Sequence, residues 1–271
     1  MSEKIILVGC GNMGFSMLDG WIRSGRILPP EVVVVEPADA LRERAATLGV
    51  TVCATQADLP AGLEPLIVIM AVKPQVMRDV VPAYRGFTDR GATVVSVAAG
   101  TGVALFEELL GQDVAVIRCM PNTPAAIGKG MMVTYANANA RPETRQFVDE
   151  LLAASGAVTA IDDEALMDAV TAVSGSGPAY IFHFIEALTT AGEKAGLPPE
   201  TAKLLAMQTV YGAACLARES AETPTRLREQ VTSPNGTTAA ALSVLMGEDR
   251  LTKLMTEAVE AARQRGVELG K

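Results

Sequence analysis

Short runs of apolar residues, rich in Val and Ile, recur through the first half of the chain. Ile5–Val8, Val32–Val35, Leu66–Ala71, Thr93–Val97, Val114–Ile117 and Met131–Thr134 read as strands. Between several of them lie stretches with helical spacing: Met13–Ser24, Ala38–Leu48, Gln75–Tyr84 and Ala104–Leu110. Strands that are apolar throughout, rather than alternating, must be covered on both faces. Alternation with amphipathic helices then predicts a right-handed, doubly wound parallel sheet. From about Asp162 the strand signals stop. Glu164–Ala195, Pro199–Glu219 and Arg250–Leu269 carry helical spacing, with Gly196-Leu197-Pro198-Pro199 separating the first two. The pattern therefore predicts two domains, residues 1–161 and 162–271. A helical segment this rich in Ala, Leu and Met needs a surface against which to bury several faces, and a second copy of the chain is the expected source.

Composition narrows the function classes. The 271 residues are 49% hydrophobic and 20% charged, which supports a packed core rather than disorder. Lys and Arg number 23 against 31 Asp and Glu, a net charge of −8. That balance argues against phosphate-backbone binding and against docking on anionic membranes. The apolar runs are too short to cross a bilayer, and the opening Met1-Ser2-Glu3-Lys4 does not resemble a secretory leader. Cys10, Cys53, Cys119 and Cys215 are scattered without a CxxC pair, as expected of a reducing, cytoplasmic setting. One histidine, His183, and no paired cysteines predict no metal site. His183 sits among apolar residues and reads as a helix residue rather than a catalyst.

The sharpest local signal is Gly9-Cys10-Gly11-Asn12-Met13-Gly14, a GxGxxG placed between the first strand and the first helix. Gly9 allows the tight turn, Gly11 lets a pyrophosphate approach the backbone, and Gly14 lets helix and strand pack closely. The free N–H groups of the helix start then face the phosphates. Glu36, at the end of the second strand, is placed to accept the ribose hydroxyls of NADH and to repel the 2′-phosphate of NADPH. Arg42 and Arg44 could blunt that repulsion, but their helix positions read as a solvated face. Ala71-Val72-Lys73-Pro74 and Val97-Ala98-Ala99-Gly100 follow strands at the edge where parallel sheets bind ligands.

Three further motifs come in order: Arg118-Cys119-Met120-Pro121-Asn122-Thr123-Pro124, Ser174-Gly175-Ser176-Gly177-Pro178-Ala179-Tyr180, and Val231-Thr232-Ser233-Pro234-Asn235-Gly236-Thr237-Thr238. With the glycine loop and the AVKP segment, this series closely resembles the pyrroline-5-carboxylate reductase family over nearly the whole chain. The resemblance implies reduction of 1-pyrroline-5-carboxylate to L-proline by NADPH or NADH. It implies a Rossmann-like domain, then an all-helical dimerisation domain, with homodimers that can assemble into decamers. It adds Val8, Gln56 and Asn122 to the expected cofactor-binding set. It places Thr238 beside the substrate nitrogen and Ser176 in the pocket lining, and makes these two the expected catalytic residues. Ser233, Asn235, Gly236, Thr237, Ser174 and Gly175 complete the expected substrate set.

Residue chemistry supports these assignments. Imine reduction needs a hydride at carbon, a proton at nitrogen and a held carboxylate. An iminium is already electrophilic, so a site poor in His and Cys suffices. Thr237 or Thr238 falls at or next to the start of a helix predicted over Ala239–Met246, where a hydroxyl and free N–H groups converge. Pro178 frees the Ser174 carbonyl and loosens its turn. The family usually shows two glycines where this chain has Asn235-Gly236, and Asn best tolerates the left-handed backbone. Gln230 stands where some members have Asn, and many members have small or basic residues in place of Glu36. Two alternatives remain at this point. A β-hydroxyacid dehydrogenase would carry a lysine in its first long helix, and Glu164 to Glu193 holds none. A non-enzymatic dinucleotide sensor would have no use for the Ser233–Thr238 loop.

Overall fold

The computed structural model describes Lys4–Gly270; Met1, Ser2 and Glu3, where the leader would have been sought, lie outside the described residues, as does Lys271. The chain divides into two compact units, Met1–Ser176 with Ala262–Lys271, and Gly177–Ala261. The boundary read from the sequence, at residue 161, thus lies inside the first of them.

The first unit is built on an eight-stranded sheet. Its elements are β1 (Ile5–Val8), α1 (Asn12–Arg23), β2 (Val32–Val35), α2 (Asp39–Ala46), β3 (Thr51–Cys53), β4 (Ile67–Met70), β5 (Thr93–Ser96), α3 (Val103–Leu110), β6 (Val116–Met120), β7 (Gly130–Ala136), α4 (Pro142–Leu152) and β8 (Gly156–Ala160). The strand order is β3-β2-β1-β4-β5-β6-β7-β8. The sheet is parallel, as expected, at every pairing except that of β6 with β7, an antiparallel pair the sequence pattern did not indicate. The short connection from β6 to β7 permits only an antiparallel return, and an apolar run gives no direction.

Both faces of the sheet are buried, which explains the unbroken apolar runs. Ile5, Leu7, Val32, Val34, Ile67 and Ile69 face Met17, Leu18 and Trp21 of α1. The alternate residues Ile6, Val8, Val33, Val35, Val68 and Met70 face Met77, Val81, Tyr84 and Phe106. The register brings strand ends level: Val8 pairs with both Val35 and Met70, and Met70 pairs with Ser96. Gly9, Glu36, Ala71 and Val97 therefore emerge side by side at one edge. Each extends the ladder by one bond, as when Gly9 N–H donates to Val35 O and Ala71 N–H to Val8 O, both at 2.8 Å.

The helix expected over Gln75–Tyr84 is instead a chain of short turns, Pro74–Val76, Met77–Val80 and Val81–Tyr84. Pro82 has no N–H for a continuous ladder. The long helix expected from Glu164 is likewise interrupted. Single turns at Glu164–Leu166 and Met167–Val170 lead into a π-helical turn at Thr171–Gly175. Within this unit Glu164 Oε1 accepts from Arg118 at 2.7 Å and from the Val103 N–H at 2.8 Å, tying that stretch to β6 and to the start of α3.

The second unit is helical: α5 (Gly177–Lys194), α6 (Pro199–Glu219), α7 (Pro224–Gln230), α8 (Thr237–Met246) and the first part of α9 (Arg250–Leu269). α5 and α6 form an antiparallel hairpin turned at Gly196, whose φ is +100°. Gly192 and Ala202 let the two helices approach closely. Large apolar side chains on this unit remain uncovered, among them Phe182, Leu204, Tyr211 and Leu254, each about 60% exposed or more. No described helix is long and apolar enough to cross a membrane.

Candidate functional site

The turn after β1 needs its glycines. Gly9 adopts φ +89°, and a Cβ there would sit 2.8 Å from the Ala71 carbonyl oxygen. A Cβ on Gly14 would run into the Gly9 carbonyl oxygen. Gly11 is different: nothing lies within 4 Å of the place a Cβ would take. It forms the N-cap of α1, and no side chain caps the helix. The first N–H groups of α1, on Asn12, Met13 and Gly14, have no intrahelical partner, which suits a phosphate pair approaching over Gly11.

Glu36 holds this turn from the second strand. It is buried, and Cys10 N–H donates to its Oε2 at 2.7 Å while Ala38 N–H donates to its Oε1 at 3.0 Å. Arg44 holds the turn from the other side. Its guanidinium donates to the Cys10 carbonyl at 3.0 Å and the Gly11 carbonyl at 3.2 Å, and lies 4.2 Å over the Phe15 ring. Arg42 donates to the Glu36 and Pro37 carbonyls and pairs with Asp39. Neither arginine lies on a freely solvated face, contrary to the sequence reading. The carbonyls that attract them are invisible in a linear pattern. Burial pushes the Cys10 thiol up to about 11 and raises Cys119 still further, so both are packing groups rather than nucleophiles.

Val8, Gly9, Gly11, Glu36, Gln56, Ala71, Val72 and Lys73 all line one cavity of about 570 Å³, whose wall is completed by Leu41, Val76, Val80 and Tyr84. The wall is largely apolar, as suits a flat ring, and Glu36, Thr55, Gln56, Lys73 and Asp79 contribute the polar side chains of the lining. Val80 and Tyr84 were not singled out from the sequence, because residues of a broken helix show no site signal, nor was Leu41, an apolar position on the regular helix α2. Cys10, Asn12, Met13 and Gly14 belong to the adjoining turn and helix start. Pro74 opens the short turn after Lys73. Val97, Ala98 and Ala99 follow β5 and are half-buried, outside the cavity lining.

Asn122 lies beyond β6 and addresses a different element. Its Oδ1 accepts from Met131 N–H at 2.9 Å, and its Nδ2 donates to the Ser174 carbonyl at 3.2 Å. Ser174, Gly175 and Ser176 are half-buried at the π turn. Ser176 N–H donates to Thr171 O at 2.8 Å.

In the helical unit, the loop before α8 turns at Asn235, whose φ of +61° bears out the left-handed reading. Gly236 N–H donates to Ser233 O at 3.1 Å, and a Cβ on Gly236 would strike the Ser233 hydroxyl. The N-cap is Gly236, so Thr237 and Thr238 occupy the first helical turn rather than the cap itself. Ser233, Asn235 and Thr237 are exposed, and Thr238 is half-buried. Among the described residues the Thr238 hydroxyl has no hydrogen-bond partner. His183 is exposed and 3.1 Å from Glu186, consistent with a helix-surface residue. No cluster of metal-binding side chains occurs among the described residues.

A family model described as pyrroline-5-carboxylate reductase dimerisation matches residues 164–269. Another, described as NADP oxidoreductase, coenzyme F420-dependent, matches residues 4–100. Pyrroline-5-carboxylate reductase of Pseudomonas aeruginosa is 40% identical over 271 residues, covering 100% of this chain and 98% of the relative. That of Arabidopsis thaliana is 40% identical over 273 residues, covering 100% and 96%. The solved pyrroline-5-carboxylate reductase of Coxiella burnetii superposes with a TM-score of 0.93 at 33% identity over the whole of both chains. That of Plasmodium falciparum, solved with NADP bound, gives 0.84 at 27% identity over 99% and 98%. With relatives this similar over their full length, the chain belongs to the pyrroline-5-carboxylate reductase family.

Proposed function

We propose that this protein reduces 1-pyrroline-5-carboxylate to L-proline, the last step of proline biosynthesis, with a nicotinamide dinucleotide as donor. One observation carries the reading furthest: a chain of this family bears a glycine cradle open at Gly11 and, at the start of α8, a half-buried threonine hydroxyl with no hydrogen-bond partner among the described residues. A sensor needs only the first. Residues 1–161 would serve the dinucleotide, and residues 162–271 dimerisation and substrate.

When bound, the reduced nicotinamide supplies a hydride to the imine carbon, and the nitrogen gains a proton to become the secondary amine. The chain's own residues bind and orient. The first N–H groups of α1 take the pyrophosphate, Glu36 and Gln56 face the ribose end, and Val97–Ala99 leave room at the end of β5. Ser233, Asn235, Gly236 and Thr237 shape the carboxylate receptor, whose charge is favoured by the N–H groups at the start of α8. Thr238 donates to, or relays a proton to, the ring nitrogen, and Ser174–Ser176 line the pocket. No strong acid is required, so the work is chiefly positioning, an effect that reaches roughly 7–11 kcal/mol in well-oriented reactions.

NADH is the preferred donor in this reading. The Glu36 carboxylate faces the cavity and retains lone pairs for ribose hydroxyls after its two backbone bonds. A 2′-phosphate would meet that charge with Arg42 and Arg44 already committed to carbonyls. A second copy covers the apolar faces of α5 and α6, and the family resemblance supports a decamer of five such dimers. Four unpaired thiols support a cytoplasmic setting. The test is dinucleotide consumption with the imine, run in parallel with NADH and NADPH. Binding of the dinucleotide without turnover would favour the sensor.

A further inference from the structure

The Ser174 carbonyl has lost the partner that a regular helix would give it. The N–H four residues on belongs to Pro178, which has none. The ladder responds by lengthening: Ser176 N–H reaches back five residues to Thr171 O at 2.8 Å, and Thr171–Gly175 forms a π turn. Such turns are rare and concentrate at functional sites. Here the orphaned carbonyl is claimed from outside the helix, by Asn122 Nδ2 at 3.2 Å, with the Ser174 hydroxyl at 3.5 Å from the same nitrogen.

The orientation of the Asn122 amide is fixed independently. Its Oδ1 accepts the Met131 N–H at 2.9 Å, so its NH₂ must face Ser174. Two residues earlier on the same segment, the Met120 methyl lies against Gly175, leaving no space for a Cβ. Met120 and Asn122, at and just past the end of β6, therefore meet one turn, Asn122 chiefly through the Ser174 carbonyl and Met120 at Gly175.

From this we infer that Asn122 is a positioning residue for the substrate turn: it sets the place of Ser174, Gly175 and Ser176 by holding the carbonyl that Pro178 leaves free. The inference rests on the reading of that turn as part of the imine pocket. It assigns Asn122 a role through protein atoms, with both ends of its amide already engaged.

The test compares wild type with Asn122→Asp and, separately, Pro178→Ala. Asn122→Asp keeps the shape and the acceptor for Met131, and turns the donor to Ser174 into a charged acceptor that repels the same carbonyl; Pro178→Ala tests the same bond without adding charge. kcat/KM for the imine should fall about tenfold, while the Kd for NADH, read from nicotinamide fluorescence, stays within about twofold. Pro178→Ala restores an N–H that competes for the Ser174 carbonyl, and should depress kcat/KM for the imine in the same way. Wild-type imine kinetics in a folded Asn122→Asp variant would overturn the proposal. So would a loss confined to NADH affinity, which would make Asn122 a cofactor ligand. Should Asn122→Asp fail to fold by circular dichroism, Pro178→Ala decides alone, and wild-type imine kinetics there overturn it. A wild-type chain that consumes neither NADH nor NADPH with the imine removes the functional reading and this proposal together.

Discussion

Cys10 N–H donates to Glu36 Oε2 at 2.7 Å, joining two buried residues 26 positions apart. The bond makes Glu36 part of the cradle and keeps its carboxylate fixed in the cavity lining. Removing the carboxylate should therefore act on cofactor choice and on the loop together. Glu36→Ala is expected to weaken NADH and relieve the repulsion of NADPH, lowering the ratio of their kcat/KM values about tenfold. Steady-state kinetics with both donors measures it; an unchanged ratio would remove Glu36 from discrimination.

Gly11 and Gly14 separate binding from stability. Ala at Gly14 must push α1 off the Gly9 carbonyl and should cost roughly 1–3 kcal/mol of stability along with dinucleotide affinity. Ala at Gly11 meets no protein atom, so unfolding should change by less than about 1 kcal/mol. The added methyl nonetheless intrudes on the open space before the helix start, and NADH affinity should drop about tenfold or more. Thermal melts with and without NADH distinguish the two variants.

Thr238 has a hydroxyl that the described protein does not use. Thr238→Ala should leave the melting temperature nearly unchanged and lower kcat for the imine by roughly 10- to 100-fold, the loss of one hydrogen bond at the reacting nitrogen. Thr238→Ser should recover most of that loss. Equal turnover in wild type and Thr238→Ala would take the hydroxyl out of the reaction.

Buried weak acids predict a loss of stability at high pH. Burial raises the Cys10 thiol to about 11, and raises Cys53, Cys119 and the Tyr84 phenol as well. In the unfolded chain these groups ionise first, so between the ordinary thiol value near 9 and 11 the folded state binds more protons. Stability is then full below about pH 9 and falls as pH rises through the raised values. Melting temperature should decline from pH 8 to pH 11, and less so in Cys10→Ser. A melting temperature that is flat across this range would contradict the burial of these groups.

Much of this architecture could be read from the chain because β1, β2 and β4 are covered on both faces and leave unbroken apolar runs. The edge strands β3 and β8 were not readable: Thr51 and Ala157 are exposed, so no apolar run marks them. Pro82 and Pro178 were visible, but their consequences, a broken helix and a π turn, depend on where neighbouring carbonyls find donors. The glycine cradle was legible since each glycine answers a local steric demand. Asn235 was legible for the same reason. Arg44 was not, because its partners are backbone carbonyls of a turn 33 and 34 positions away. Nor was the bond from Asn122 to Ser174, across 52 positions, since no local pattern encodes a bond at that range.

The most direct measurement is the absorbance of reduced nicotinamide after 1-pyrroline-5-carboxylate is added to the purified protein, with the product separated by chromatography. The account predicts steady loss of absorbance, one L-proline formed for each dinucleotide consumed, and a faster rate with NADH than with NADPH. Constant absorbance with both donors, while the protein still binds them, would contradict it.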